Sequence, residues 1–133
     1  MIRTELNLRL PNSPGALAGV CRLLADERVN VIARSLDAGG QLHLLVDNPV
    51  RATGVLRGRH HQVTERDVVF VSIGNHPGAV APVVTLVADA GVNVNYAYGA
   101  GAESSGGGAV VLGVDDALRA GAEIGRASCR ERV

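Results

Sequence analysis

Asn12-Ser13-Pro14-Gly15-Ala16-Leu17-Ala18 returns 63 residues later as Asn75-His76-Pro77-Gly78-Ala79-Val80-Ala81, and the echo carries on from Val29-Asn30-Val31 to Val92-Asn93-Val94. Between Asn12–Val31 and Asn75–Val94, 12 of 20 positions are identical, so the 133-residue chain reads as two copies of one small unit. A unit of about 65 residues buries only about 60% of the surface its unfolded chain exposes, so each copy gains by packing on a neighbour.

Working outward from that stretch, Leu6, Leu8 and Leu10 alternate with Asn7 and Arg9, the period-two mark of a half-buried strand, and Val69, Val71 and Ile73 repeat it. The Asn-x-Pro-Gly turn follows, with Pro14 and Pro77 suited to the first helical position. Leu17, Val20, Cys21 and Leu24 share one helical face. Their counterparts Val80, Val83, Val84 and Val87 would favour a strand by propensity alone, and the repeat decides for a helix, with Pro82 expected to bend it from inside. Val29–Leu36 and Gln41–Asp47 read as a hairpin across Ala38-Gly39-Gly40, and Val92–Tyr98 with Ala109–Val114 as a second one with a longer loop at Gly99–Gly108. Asn48-Pro49 opens a short helix to about Arg57, matched by Asp115-Asp116 before Ala117–Gly121, and His61–Glu65 supplies a fourth strand. The expected fold is α+β: two ferredoxin-like βαββαβ modules in tandem, each an antiparallel sheet with both helices on one face.

Glu123–Val133 reads as the translation of a sequencing adaptor and is set aside as a non-native tail. The expected division is therefore residues 1–66 and 67–122, the second module cut short before its last strand, then the tail at 123–133.

Composition removes several function classes. Formal net charge is zero, which gives no long-range pull toward nucleic acid or an anionic membrane. All 13 basic residues are Arg, so no Schiff-base or phosphate-loop lysine exists. No membrane-spanning or signal-like apolar run is present, which makes the expected setting cytoplasmic. Three aromatics, Phe70, Tyr96 and Tyr98, are too few for an RNA-recognition sheet. His60-His61, read as adjacent strand residues facing opposite ways, make no metal site. Arg51, Arg57, Arg59 and Arg66 read as a solvated helix and loop face. Cys21 lies on the apolar helix face, and neither Gly-x-Ser-x-Gly nor a carboxylate pair is found, so no catalytic residue, metal or cofactor is assigned.

The turn itself carries the functional signal. A helix N-terminus presents unbonded N–H groups and a positive dipole, both suited to a carboxylate. Gly15 and Gly78 leave the backbone open to a ligand, while Asn12 and Asn75 offer donors and acceptors beside it. Asn30 and Asn93 stand where the helix hands over to the next strand. A purely structural reading makes Asn a helix cap and the later Asn a turn residue.

Strand, Asn-x-Pro-Gly, amphipathic helix and Val-Asn-Val, found in both copies from about Ile2 to Ala122, resembles the ACT domain, the amino-acid-sensing module of many metabolic enzymes. With its Tyr96-Ala97-Tyr98 strand the chain is similar to the small stand-alone tandem-ACT proteins of bacteria, which have no catalytic domain. The resemblance implies a regulatory protein, not an enzyme, that binds a small amino acid at the interface between its modules. In the serine-sensing ACT domain of phosphoglycerate dehydrogenase, a residue pair just before Pro-Gly and an Asn after the partner module's helix hold the ligand. Carried over, this implies Asn12 with Asn93 and Asn75 with Asn30, joined by Pro14, Gly15, Ala16, Pro77, Gly78 and Ala79. Leu10 and Ile73 stand where that family member has a His, which implies an amino acid more apolar than serine. The partners implied are that ligand and either a second copy of the chain or a metabolic enzyme. The alternative is a ligand-free assembly module that pairs with another chain through its sheet edges.

Overall fold

The computed structural model describes residues 2–74, 78–100 and 107–131, with side chains through residue 126. In chain order the elements are β1 (Ile2–Arg9), α1 (Ala16–Asp26), β2 (Val31–Leu36), β3 (Gln41–Val46), α2 (Pro49–Gly58), β4 (Thr64–Gly74), α3 (Ala81–Asp89), β5 (Val94–Ala100), β6 (Gly107–Val114) and α4 (Ala117–Glu131). They divide into two compact units, one from Thr4 to Arg66, the other from Asp67 onward with the first residues of the chain.

In the Thr4–Arg66 unit the strand order is β2-β3-β1, with the start of β4 beside β1. The period-two pattern decides which side chains meet. The antiparallel register sets Leu6 opposite Leu44 and Leu8 opposite Leu42, and these four face the helices. Val20 and Leu24 of α1, Ala52 and Leu56 of α2, and Val29 and Val63 close over them. Each fully buried leucine contributes at most about 1.5–3 kcal/mol, so no single one decides the fold. Asn48 caps α2 through its Oδ1, which accepts from Arg51 N at 3.2 Å, and Pro49 follows where a missing N–H costs nothing.

The second unit repeats this arrangement with smaller side chains. Its strand order is β4-β6-β5, and Val69, Val87, Val110, Leu112, Val114 and Ala120 form the core. The helix expected from the repeat is present as α3, although its valines favour a strand. The place beside β4 is taken by Ile2 and Arg3, the start of β1, so that edge is not left open. Ile2 packs against this core, and Gly121 of α4 leaves room for its side chain.

Four local expectations are corrected. Pro14 does not begin α1: the helix starts at Ala16 with Gly15 as its left-handed N-cap at φ 85°, and no side chain caps it. Pro82 lies in the first turn of α3, where its missing N–H would have had no partner, so it does not interrupt the helix. The fourth strand begins at Thr64, not His61, and continues unbroken to Gly74. Helix α4 runs past Gly121 to Glu131 and buries Ile124, because apolar spacing in 117–124 keeps pointing at the core.

Three helices end in the same way. Val29 N bonds Leu24 O, His61 N bonds Leu56 O and Val92 N bonds Val87 O, each spanning five residues back across a left-handed residue. That residue is Arg28 (φ 60°), His60 (φ 68°) and Gly91 (φ 74°) in turn. Arg28 and Gly91 are repeat equivalents, so one copy places at this stop the glycine that sterics favour and the other does not. Arg28→Gly is expected to stabilise the chain by about 1 kcal/mol and Gly91→Ala to destabilise it by about as much, read from urea midpoints at unchanged slope.

Candidate functional site

The first-copy turn borders a cavity of about 200 Å³ lined by Leu10, Asn12, Ser13, Gly15, Ala16 and Leu17 on one side and by Leu36, Asp37, Ala38 and Gly40 on the other. The second group is the tip of the β2–β3 hairpin, which sequence reasoning took for a turn only. Its placement rests on two hydrogen bonds. Leu10 N donates to Gly40 O at 2.8 Å, and Arg9 Nη1 donates to Gly39 O at 2.7 Å, so the tip is tied to the end of β1. Gly40 adopts φ 86°, and a Cβ there would run into the Leu10 carbonyl oxygen, so only glycine fits. Asp37 shapes the turn by accepting from Gln41 N through Oδ1 at 3.0 Å.

Chemically, the cavity has two poles. The first turn of α1 offers N–H groups that have no partner within a helix, and Gly15 has open space where a side chain would stand. Exposed Asp37 lines the opposite side, its Oδ1 held by Gln41 N, with Leu10, Leu17 and Leu36 as apolar wall. The volume lies below the roughly 300–1,000 Å³ of pockets for drug-sized ligands, which limits an occupant to a small metabolite.

Of the residues singled out from sequence, Asn12, Gly15 and Ala16 meet at this cavity, with Pro14 in the turn between them. Asn12 does not cap α1. Asn30 is exposed at the far end of the helix: its N–H donates to Asp47 Oδ1 at 3.0 Å and its carbonyl accepts from Asp47 N at 3.1 Å. In the second copy Asp115 N donates to Asn93 O at 3.2 Å, while Asn93 Nδ2 donates to Asn95 Oδ1 and Asn95 Nδ2 to Asp115 Oδ1, each at 2.9 Å. A β-bulge follows both asparagines, between Val31 and Ala33 and between Val94 and Tyr96. Gly78 keeps the left-handed backbone of Gly15 at φ 80°, with Ala79 beside it half-buried. Asn75 and Pro77 lie outside the described residues.

The sheet faces turned away from the helices differ between the copies. In the first, Glu5 is fully buried, 3.2 Å from His43 Nδ1, with Asn7 Oδ1 also against that nitrogen. Their counterparts are Val68, Val111 and Phe70, the last under the Arg3 guanidinium at 4.8 Å. Likewise Ala33 opposite Leu45 becomes Tyr96 opposite Gly113, and the Tyr96 ring fills the space a Gly113 side chain would need. Tyr96 stacks near-parallel on Tyr98, with ring centroids 6.4 Å apart.

Residues 1–125 match a family model described as an ACT domain pair, and the chain belongs to that family. Among solved structures it is similar to protein BT0572 of Bacteroides thetaiotaomicron, at 27% identity and TM-score 0.86 over 96% of this chain and 90% of that one. It also resembles the ligand-free regulatory subunit of aspartate kinase from Thermus thermophilus, at 20% identity and TM-score 0.68 over 95% and 93%. A further similarity is to Escherichia coli aspartokinase III in complex with lysine and aspartate, at 19% identity and TM-score 0.57, covering 94% of this chain but 32% of that enzyme. A comparison with curated protein sequences finds no match. No helix among the described residues is long and apolar enough to cross a membrane.

Two glycine substitutions test how the cavity is built. Gly15→Ala meets no atom and is expected to cost only the left-handed backbone, about 1–2 kcal/mol. Gly40→Ala adds a collision and is expected to cost about 1–3 kcal/mol more in urea unfolding. Equal costs would mean that the hairpin tip is not pressed against Leu10.

Proposed function

We propose that this chain is a non-catalytic regulatory protein that binds a small amino acid at the Asn12–Gly15 turn. The observation that carries the reading is the two-poled cavity of about 200 Å³ at the start of α1. A zwitterion fits its polarity: the α-carboxylate sits at the helix N-terminus, where donors and dipole favour negative charge, and the α-ammonium faces Asp37. Leu10, Leu17 and Leu36 favour an apolar side chain over a charged one. Membership of the ACT domain pairs supports a regulatory role, as does a fold shared with aspartate kinase regulatory subunits. In this reading the bound ligand favours one state that a partner enzyme or a second copy reads.

The test is a thermal-shift screen of the chain against the proteinogenic amino acids. A ligand at about 100 times its dissociation constant adds about 2.7 kcal/mol, a shift of several degrees in domains of this size. The shift is expected for one or a few aliphatic amino acids and is expected to vanish in Asn12→Ala and Asp37→Ala. Asn12→Ala is expected to leave the oligomer unchanged by light scattering. A folded chain that shifts for none of them would leave the assembly module, pairing through its sheet edges, as the better reading.

A further inference from the structure

Two surface clefts of the Thr4–Arg66 unit, of about 540 and 630 Å³, share His60 and His61 as a common wall. These histidines do not stand on a strand facing opposite ways: they form the exit of α2, ahead of β4, and both line both clefts. Arg9 joins them on one side and Arg22 and Arg59 on the other. Across the whole chain 13 Arg are balanced by 13 acidic residues, yet among the described residues the only carboxylate lining these clefts is Asp26. Positive charge is thus gathered here against the chain's overall neutrality.

The duplication acts as an internal control. At equivalent positions Leu23 and Asp26 persist as Leu86 and Asp89, but Arg9 becomes Ser72, Arg22 becomes Thr85 and Gly19 becomes Pro82. The module folds without the arginines, so the fold does not require them. His60 occupies the left-handed stop of α2 at φ 68°, where glycine would be easier, and it lines both clefts.

We infer that the cleft of about 630 Å³ binds a small polyvalent anion, a phosphorylated or polycarboxylate metabolite, through Arg22, Arg59 and the His60-His61 pair. Planar guanidinium groups match phosphate and carboxylate oxygens in paired hydrogen bonds, and the histidines supply further ring donors. The volume suits a ligand larger than the one proposed for the α1 turn. The inference is independent of the amino-acid reading.

Calorimetric titration of the full chain at low ionic strength, with pyrophosphate and then citrate as probes, tests it. One or both are expected to bind at a single site, pyrophosphate alone marking a phosphate site and citrate alone a polycarboxylate site. R22Q/R59Q is expected to weaken that binding at least about tenfold. H60G is expected to raise the melting temperature of the free chain while weakening the anion several-fold. R28G relieves the same kind of strain away from the clefts, and is expected to raise melting with binding unchanged. Absence of binding by both probes, binding unaltered in R22Q/R59Q, or full affinity in H60G would each overturn the assignment.

Discussion

Each unit depends on both of its helices landing on the same face of a small sheet, because about 65 residues supply apolar surface for little more than one buried layer. In the first unit that layer is Leu6, Leu8, Leu42 and Leu44 under Val20, Leu24 and Leu56; in the second it is Val69, Val110 and Leu112 under Val83 and Val87. The strand period places these side chains together, and the turns must return each helix over them within a few residues. Left-handed backbone makes that return possible, at Gly15 and Gly78 entering the helices and at Arg28 and Gly91 leaving them. The features offered to a ligand are built on these same reversals.

Comparison of the two copies separates what the module needs from what one copy has added. Both retain the entry glycine, the bulge after Val-Asn-Val and the link from Asn30 or Asn93 to an aspartate at the end of the following hairpin. Other pairs exchange volume or polarity without changing the fold. Ala33 with Leu45 gives way to Tyr96 with Gly113, a small–large exchange that keeps the summed size similar. Glu5 beside His43 gives way to Val68 beside Val111, replacing a buried polar contact with an apolar one. A buried carboxylate is costly unless it is hydrogen-bonded, so the polar version persists only with its partners in place.

Much of the candidate site was legible in the residues of the Asn-x-Pro-Gly turn. Asn12, Gly15 and Ala16 do border a cavity, and the helix after them starts where a carboxylate would be favoured. Its opposite wall was not legible. Asp37, Ala38 and Gly40 lie more than twenty positions further along, and in sequence they carry only the signature of a tight hairpin. Gly40 could have given a hint, since its glycine is demanded by close approach to Leu10 as well as by the turn. His60-His61 were misread for a related reason: a helix stop with a left-handed histidine has no glycine to announce it.

The sequence by itself determined the duplication, the order of elements, the α+β class and the family resemblance, because repeat spacing and strand or helix periodicity are local properties of the chain. It also determined that α3 is a helix against its own propensity, since the sister copy settled the ambiguity. Only the tertiary structure decided where the helices begin and end around Pro14 and Pro82 and how far α4 continues beyond Gly121. It alone brought the hairpin tip to the first turn of α1, and Arg22 of α1 with Arg59 after α2 to one cleft. Those outcomes depend on packing between segments distant in sequence, and periodicity within a segment does not encode which surfaces meet.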